Sequence, residues 1–184
     1  KWISRTPIMG SIYETENDQS SVQNYVDAHL SSHKSMGELA AERMSGYGVS
    51  DVEKANARFK AAHDGAISFL MPEGELNRAR ASLLFIESYR ELPLLAWPRK
   101  LIDAVAELEE SMVKWRHSHA RMVERIMGRR IGTGGTSGVD YLDMTSQYRV
   151  FKDLWAVRTI LVKTQDRPKL INPSFYGFNS NNEA

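Results

Sequence analysis

AVAELEESMVKWRHSHARMVERIMG, residues 104–128, is the stretch whose reading decides the fold. Val105, Leu108, Met112, Trp115, His119, Met122 and Ile126 recur at alternating spacings of three and four, the period of one helix face. Pro98 suits the first turn of such a helix and Gly128 its left-handed cap. The helix is therefore predicted from Pro98 to Met127, about 30 residues and ~45 Å long. Its apolar stripe is expected to face a neighbouring helix or the core. No alternating strand pattern of any length occurs elsewhere, and the fold class read from the sequence is all-α.

Working outward, residues 1–19 contain Pro7, Gly10 and several polar residues and read as an irregular segment. A helix is predicted from Ser20-Ser21 to Met44, stopped by Gly46-Tyr47-Gly48. Ser50-Asp51-Val52-Glu53 has capping-box spacing and starts a second helix that reaches Leu70. After the break at Met71-Pro72-Glu73-Gly74, a third spans Glu75 to Glu91. Beyond the long helix, Val139 onward begins a short helix and Tyr148 to Val162 another. Asp166 onward, rich in Pro, Asn and Ser, reads as an extended or disordered tail. The predicted organisation is 1–19 irregular, 20–165 a helical domain and 166–184 a tail.

The chain's 184 residues suffice to bury a sizeable core. A net charge of +1 generates no field that would favour nucleic acid or an anionic membrane. The absence of cysteine removes disulfides, thiolate metal sites, cysteine nucleophiles and iron–sulfur clusters, and is compatible with a cytoplasmic protein. No apolar run is long enough to span a bilayer, and Lys1-Trp2-Ile3-Ser4-Arg5-Thr6-Pro7 is not a signal peptide. The sequence opens mid-pattern without Met, as the later part of a longer protein would.

His119 lies on the apolar stripe, where the pattern would otherwise supply Leu, whereas His117 lies on a more polar face. Two readings follow for His119. One is a core histidine hydrogen-bonded to a carbonyl or carboxylate. The other is a metal ligand, since a neutral imidazole binds iron or zinc. With no cysteine and no second ligand in register, a zinc cage is disfavoured. Haem, which needs one protein ligand and an apolar cavity between helices, suits the chain better. His29 and His33, four residues apart, share a helix face, but nothing at a suitable spacing completes a metal site, so a solvent-exposed pair is expected.

Gly132, Thr133, Gly134, Gly135, Thr136, Ser137 and Gly138 form a loop whose glycines open backbone conformations closed to other residues. Its exposed N–H groups suit a carboxylate or phosphate, though a plain interhelical connection has the same composition. Val139 stands where a Walker loop needs Lys, and no strand precedes the loop as a dinucleotide-binding turn requires. Arg121, Arg125, Arg129 and Arg130 crowd the helix end. Their ordinary role is to complement its dipole and stay solvated, with one or two available to a ligand carboxylate.

Trp115-Arg116-x-x-His119, Val123-Glu124-Arg125-x-x-Gly128, Gly132-Thr133-Gly134-Gly135-Thr136-Ser137-Gly138, Tyr141-Leu142, Phe151 and Leu154-Trp155-x-Val157-Arg158-Thr159 form an ordered string. It resembles the C-terminal part of tryptophan 2,3-dioxygenases. The resemblance covers Trp115 to Thr159 and implies an all-helical haem b protein. It implies His119 as the axial iron ligand, with Trp115 and Arg125 also on the cofactor. Gly132, Thr133, Gly134, Gly135, Thr136 and Ser137 become the substrate loop, with Thr133 touching the substrate ammonium group.

Segments of the HQ-x-x-E-L-W-F and P-x-S-G-F-Q-S type, which carry the family's distal histidine and substrate arginine, are absent from the chain. Ser118 and Asp143 replace residues that are basic in the dioxygenases. The implied function is a haem-dependent oxygenase of an aromatic amino acid, using dioxygen or peroxide. Hydroxylation of tyrosine or a related precursor is the alternative, and a non-catalytic helical interaction module is the reading from another class. A second copy or companion chain is expected to supply the distal half.

Overall fold

The computed structural model describes residues 1–44, 49–131, 135 and 138–177, those at 49–51 by their backbone alone. Among them are six α-helices: α1 (Asp18–Met44), α2 (Val49–Leu70), α3 (Arg78–Ser88), α4 (Ala96–Met127), α5 (Gly138–Ser146) and α6 (Lys152–Ala156). Short 3-10 turns, such as Pro93–Leu95 and Pro173–Tyr176, connect or flank them. The all-α class holds, with an isolated β-bridge between Ile8 and Ser11. No helix among the described residues is long and apolar enough to cross a membrane. The chain divides into two compact units, Lys1–Arg99 with Trp155–Ala184, and Lys100–Leu154.

In the first unit α1 and α2 run antiparallel, with Gly37 facing Phe59 and His33 stacked on His63. A Cβ added to Gly37 would lie 3.1 Å from the Phe59 Cβ, so glycine permits this close approach. The seven residues Ala81 to Glu87 of α3 are all buried, which is why that segment shows no polar face in the sequence. Its first turn is capped by the Asn77 side chain, which accepts from the Arg80 N–H at 3.1 Å. Arg78 beside it donates to both carboxylate oxygens of buried Asp18, at 2.8 and 3.0 Å, tying α3 to the start of α1. The core is aromatic: Phe85 lies 4.6 Å from Tyr89, 5.2 Å from Tyr25 and 5.5 Å from Tyr176 between ring centroids.

Three expectations change here. Residues 166–177 are not loose: Tyr176 is fully buried, accepts from the Gly10 N–H at 2.8 Å and donates to the Pro7 carbonyl at 3.1 Å. Arg167 donates to the Ser88 carbonyl at 2.8 Å and covers the Tyr89 ring. Polar composition hid the few large side chains that anchor this segment. The third helix is shorter than Glu75–Glu91, because Glu73 and Gly74 adopt positive φ before it and Tyr89 leaves the helical region after it. The helix expected over Tyr148–Val162 is reduced to α6 and a 3-10 turn, Val157–Thr159.

The reason for that last change lies in the second unit. Glu109, buried on α4, accepts from the backbone N–H groups of Val150 and Phe151, the latter at 2.7 Å. Arg116 donates to the Tyr148 carbonyl at 3.1 Å. The backbone at 148–151 is thereby bonded to α4 side chains instead of extending a helix. Gly128, with φ +66, caps α4 as expected.

Candidate functional site

The long helix buries a face other than the one its periodicity advertises. Ile102, Ala106, Glu109 and Ala120 are its buried residues. The stripe of large apolar residues, about a third of a turn away at 100° per residue, is exposed: Trp115 is 64% accessible and Ile126 76%, and Leu108, Met112 and Met122 are exposed as well. The expectation that this stripe faces a neighbouring helix or the core is not met among the described residues. Ala106 and Ala120 allow close packing on the buried face, and Glu109 makes its hydrogen bonds to the Val150 and Phe151 amides there.

His119 stands in the exposed stripe, itself half-buried. Its ring stacks on Trp115, centroids 5.3 Å apart and planes within 7°. No hydrogen bond or ion pair engages its imidazole among the described residues, so the reading as a satisfied core histidine does not hold. Among the described residues neither ring nitrogen has a partner, and the neighbouring Met112, Trp115, Met122 and Ile126 are exposed apolar side chains. That combination fits a haem: one imidazole donor beside exposed apolar side chains. Among the described residues no group of three or more His, Cys, Asp or Glu is arranged to hold a metal.

Arg125 is exposed and unpaired among the described residues. It lines an open recess of about 390 Å³ with His117, Ser118, Arg121, Met122 and Ile126. Arg121 and Arg129, by contrast, are not merely solvated. Arg121 binds both carboxylate oxygens of Asp143 and one of Glu124; Arg129 reaches Glu124 and Asp140, each at 2.8 Å. The Arg121 guanidinium holds the Asp143 carboxyl below the usual carboxylate range. These pairs join α4 to α5 on either side of the glycine-rich loop. Of that loop only Gly135, with φ +76, and Gly138 are described; Gly132, Thr133, Gly134, Thr136 and Ser137 lie outside the described residues.

Sequence reasoning missed the Arg121–Asp143 pairing and the role of Glu109. The signal for Glu109 was its register with Ile102, Ala106 and Val113, a carboxylate on a small-residue face. His29, expected at the surface, is fully buried, and one ring nitrogen, Nε2, lies 2.8 Å from the Ile160 carbonyl.

The family model described as tryptophan 2,3-dioxygenase matches residues 1–161. The chain belongs to the tryptophan 2,3-dioxygenase family. The match reaches well before Trp115, so the first hundred residues, in which no motif was legible, belong to the same family pattern. A tryptophan 2,3-dioxygenase-like protein of Xanthomonas campestris pv. campestris (strain 8004) is 45% identical over 96% of this chain and 68% of its own length. Tryptophan 2,3-dioxygenase 2 of Ralstonia nicotianae is 44% identical over 96% of this chain and 50% of its own. The tryptophan 2,3-dioxygenase of Sorangium cellulosum is 44% identical over 97% of this chain and 45% of its own. The chain thus spans between about half and two thirds of these dioxygenase relatives.

Proposed function

We propose that the chain carries the iron-holding part of a haem-dependent oxygenase that adds oxygen to an aromatic amino acid, tryptophan foremost. The observation that carries this reading is His119, a half-buried imidazole that has no partner among the described residues and stands in an exposed apolar stripe. Haem b, when bound, supplies the iron that activates dioxygen or peroxide. His119 would hold that iron, Trp115 would fix the plane of the imidazole by stacking, and the Arg125 guanidinium would meet a haem carboxylate. Gly132, Thr133, Gly134, Gly135, Thr136 and Ser137 hold the amino acid end of the substrate, Thr133 at its ammonium group. Orientation of the ring toward the iron is the contribution of this clamp. Groups on the opposite face come from outside these 184 residues, from a second copy or a companion chain that covers the α4 stripe.

The test is mass analysis of products from the haem-loaded protein supplied with tryptophan and, separately, tyrosine. A gain of two oxygen atoms on tryptophan supports the proposal. A single oxygen on tyrosine replaces it with the hydroxylase reading. A protein that stays colourless after haem addition and assembly overturns both in favour of an interaction module.

A further inference from the structure

A cavity of about 370 Å³ opens between α1, α2 and the segment 159–166, entirely within the first unit and remote in sequence from His119. Its volume lies in the range of small-molecule sites, roughly 300–1,000 Å³. Gly37 and Phe59 lie in its wall, where the missing side chain lets α1 approach α2 closely. Met36, Leu39, Phe59 and Leu161 give it apolar walls. Leu39 remains 54% exposed, a large apolar side chain left uncovered at the edge.

Arg43 and Lys163 both border the cavity, and neither side chain has a hydrogen bond or ion pair among the described residues. Among the described residues Asp166 is the only carboxylate of the lining, against the two cations Arg43 and Lys163. Beside apolar walls a charge–charge contact is worth more than in open water. An occupant that satisfies this cavity is apolar in body and anionic at one end.

We propose that this cavity is a second ligand site that binds a small aromatic carboxylate, with its ring against Met36, Phe59 and Leu161 and its carboxylate on Arg43 and Lys163. The site does not depend on the haem reading: it uses no residue of α4 and needs no iron.

The probe is 2-naphthoate, titrated calorimetrically into the full chain. One-to-one binding is expected, with the negative heat-capacity change of apolar burial. The neutral analogue 2-naphthylmethanol should bind at least ~3-fold more weakly, as should 2-naphthoate to Arg43→Gln or Lys163→Gln, the scale of a partly exposed charge contact. Ala62→Phe, which places a ring in the cavity mouth, should abolish binding, and His119→Ala should leave it unchanged. Because Arg43 and Lys163 are exposed, their variants keep the test decisive if Ala62→Phe fails to fold. Equal affinity for the neutral analogue, unchanged affinity in both charge variants, absence of binding at millimolar probe, or loss of binding in His119→Ala would each overturn the proposal.

Discussion

His29 and His119 occupy equivalent settings in sequence, each a histidine within an amphipathic helix, and opposite settings in the molecule. His29 is fully buried in the first unit, with Nε2 against the Ile160 carbonyl and the ring 6.1 Å from Tyr25. Burial is the main cause that lowers its pKa to about 4. His119 is half-buried in the second unit, stacked on Trp115 and bonded to nothing among the described residues. The first imidazole completes a core; the second belongs to a face that the described residues leave uncovered. Periodicity alone ranked them in the reverse order, because it reports which face is apolar and not what covers it.

The same contrast runs through the aromatic residues, and the largest expected effect breaks it at its strongest point. Tyr176→Ala should destabilise the fold by ~3–5 kcal/mol, the usual cost of emptying a large buried aromatic site. The exposed Trp115→Ala should change stability by no more than about 0.5 kcal/mol. Denaturant unfolding of both variants without cofactor checks this. A comparable loss from Trp115→Ala would mean that the α4 stripe is covered within the chain after all.

Acid should separate the two histidines next. The folded state lowers the His29 pKa from 6.5 to about 4, so the unfolded chain binds the proton more readily. The stability attached to neutral His29 is full above pH 6.5, falls as the pH drops below it, and is gone near pH 4. The loss is about 3 kcal/mol from the linkage of that shift. Unfolding curves at stepped pH should show this slope, and His29→Gln should flatten it. A slope untouched by that substitution would remove His29 from the account.

A smaller effect sharpens the functional side. Thr133→Ala should weaken tryptophan binding to the ferrous protein by roughly 1.5–3 kcal/mol, one hydrogen bond to a charged group, with haem content unchanged. Equal substrate affinity in both forms would return the glycine-rich loop to a simple connection. Asp143→Asn, which leaves Arg121 without its bidentate carboxylate, should raise the tryptophan KM more than it lowers kcat. The pair is proposed to set where the loop sits, not to touch the reacting atoms, and equal effects on both constants would count against that role.

Most of the fold was legible because helix length, capping glycine and the absence of alternation are local signals. α1, α2 and α4 begin within two residues of their expected starts and end where expected. What was not legible depended on distant partners. Glu109 diverts the Val150 and Phe151 amides and shortens the last helix from 41 and 42 residues away. Tyr176 pins a polar tail to Gly10 across 166 residues. At the candidate site, His119 stood out by its position in the stripe and by family resemblance. The pairing of Arg121 with Asp143 did not, because a basic cluster at a helix C-terminus has an ordinary electrostatic explanation.

The central claim is that His119 is a ligand and His29 a core residue, and haem titration followed at the Soret band tests it most directly. The wild-type chain and His117→Ala should bind haem with a common spectrum. His29→Gln should also bind it under conditions where the variant is folded. His119→Ala should lose stable binding or bind only with added imidazole. An unaltered Soret band in His119→Ala would contradict the account.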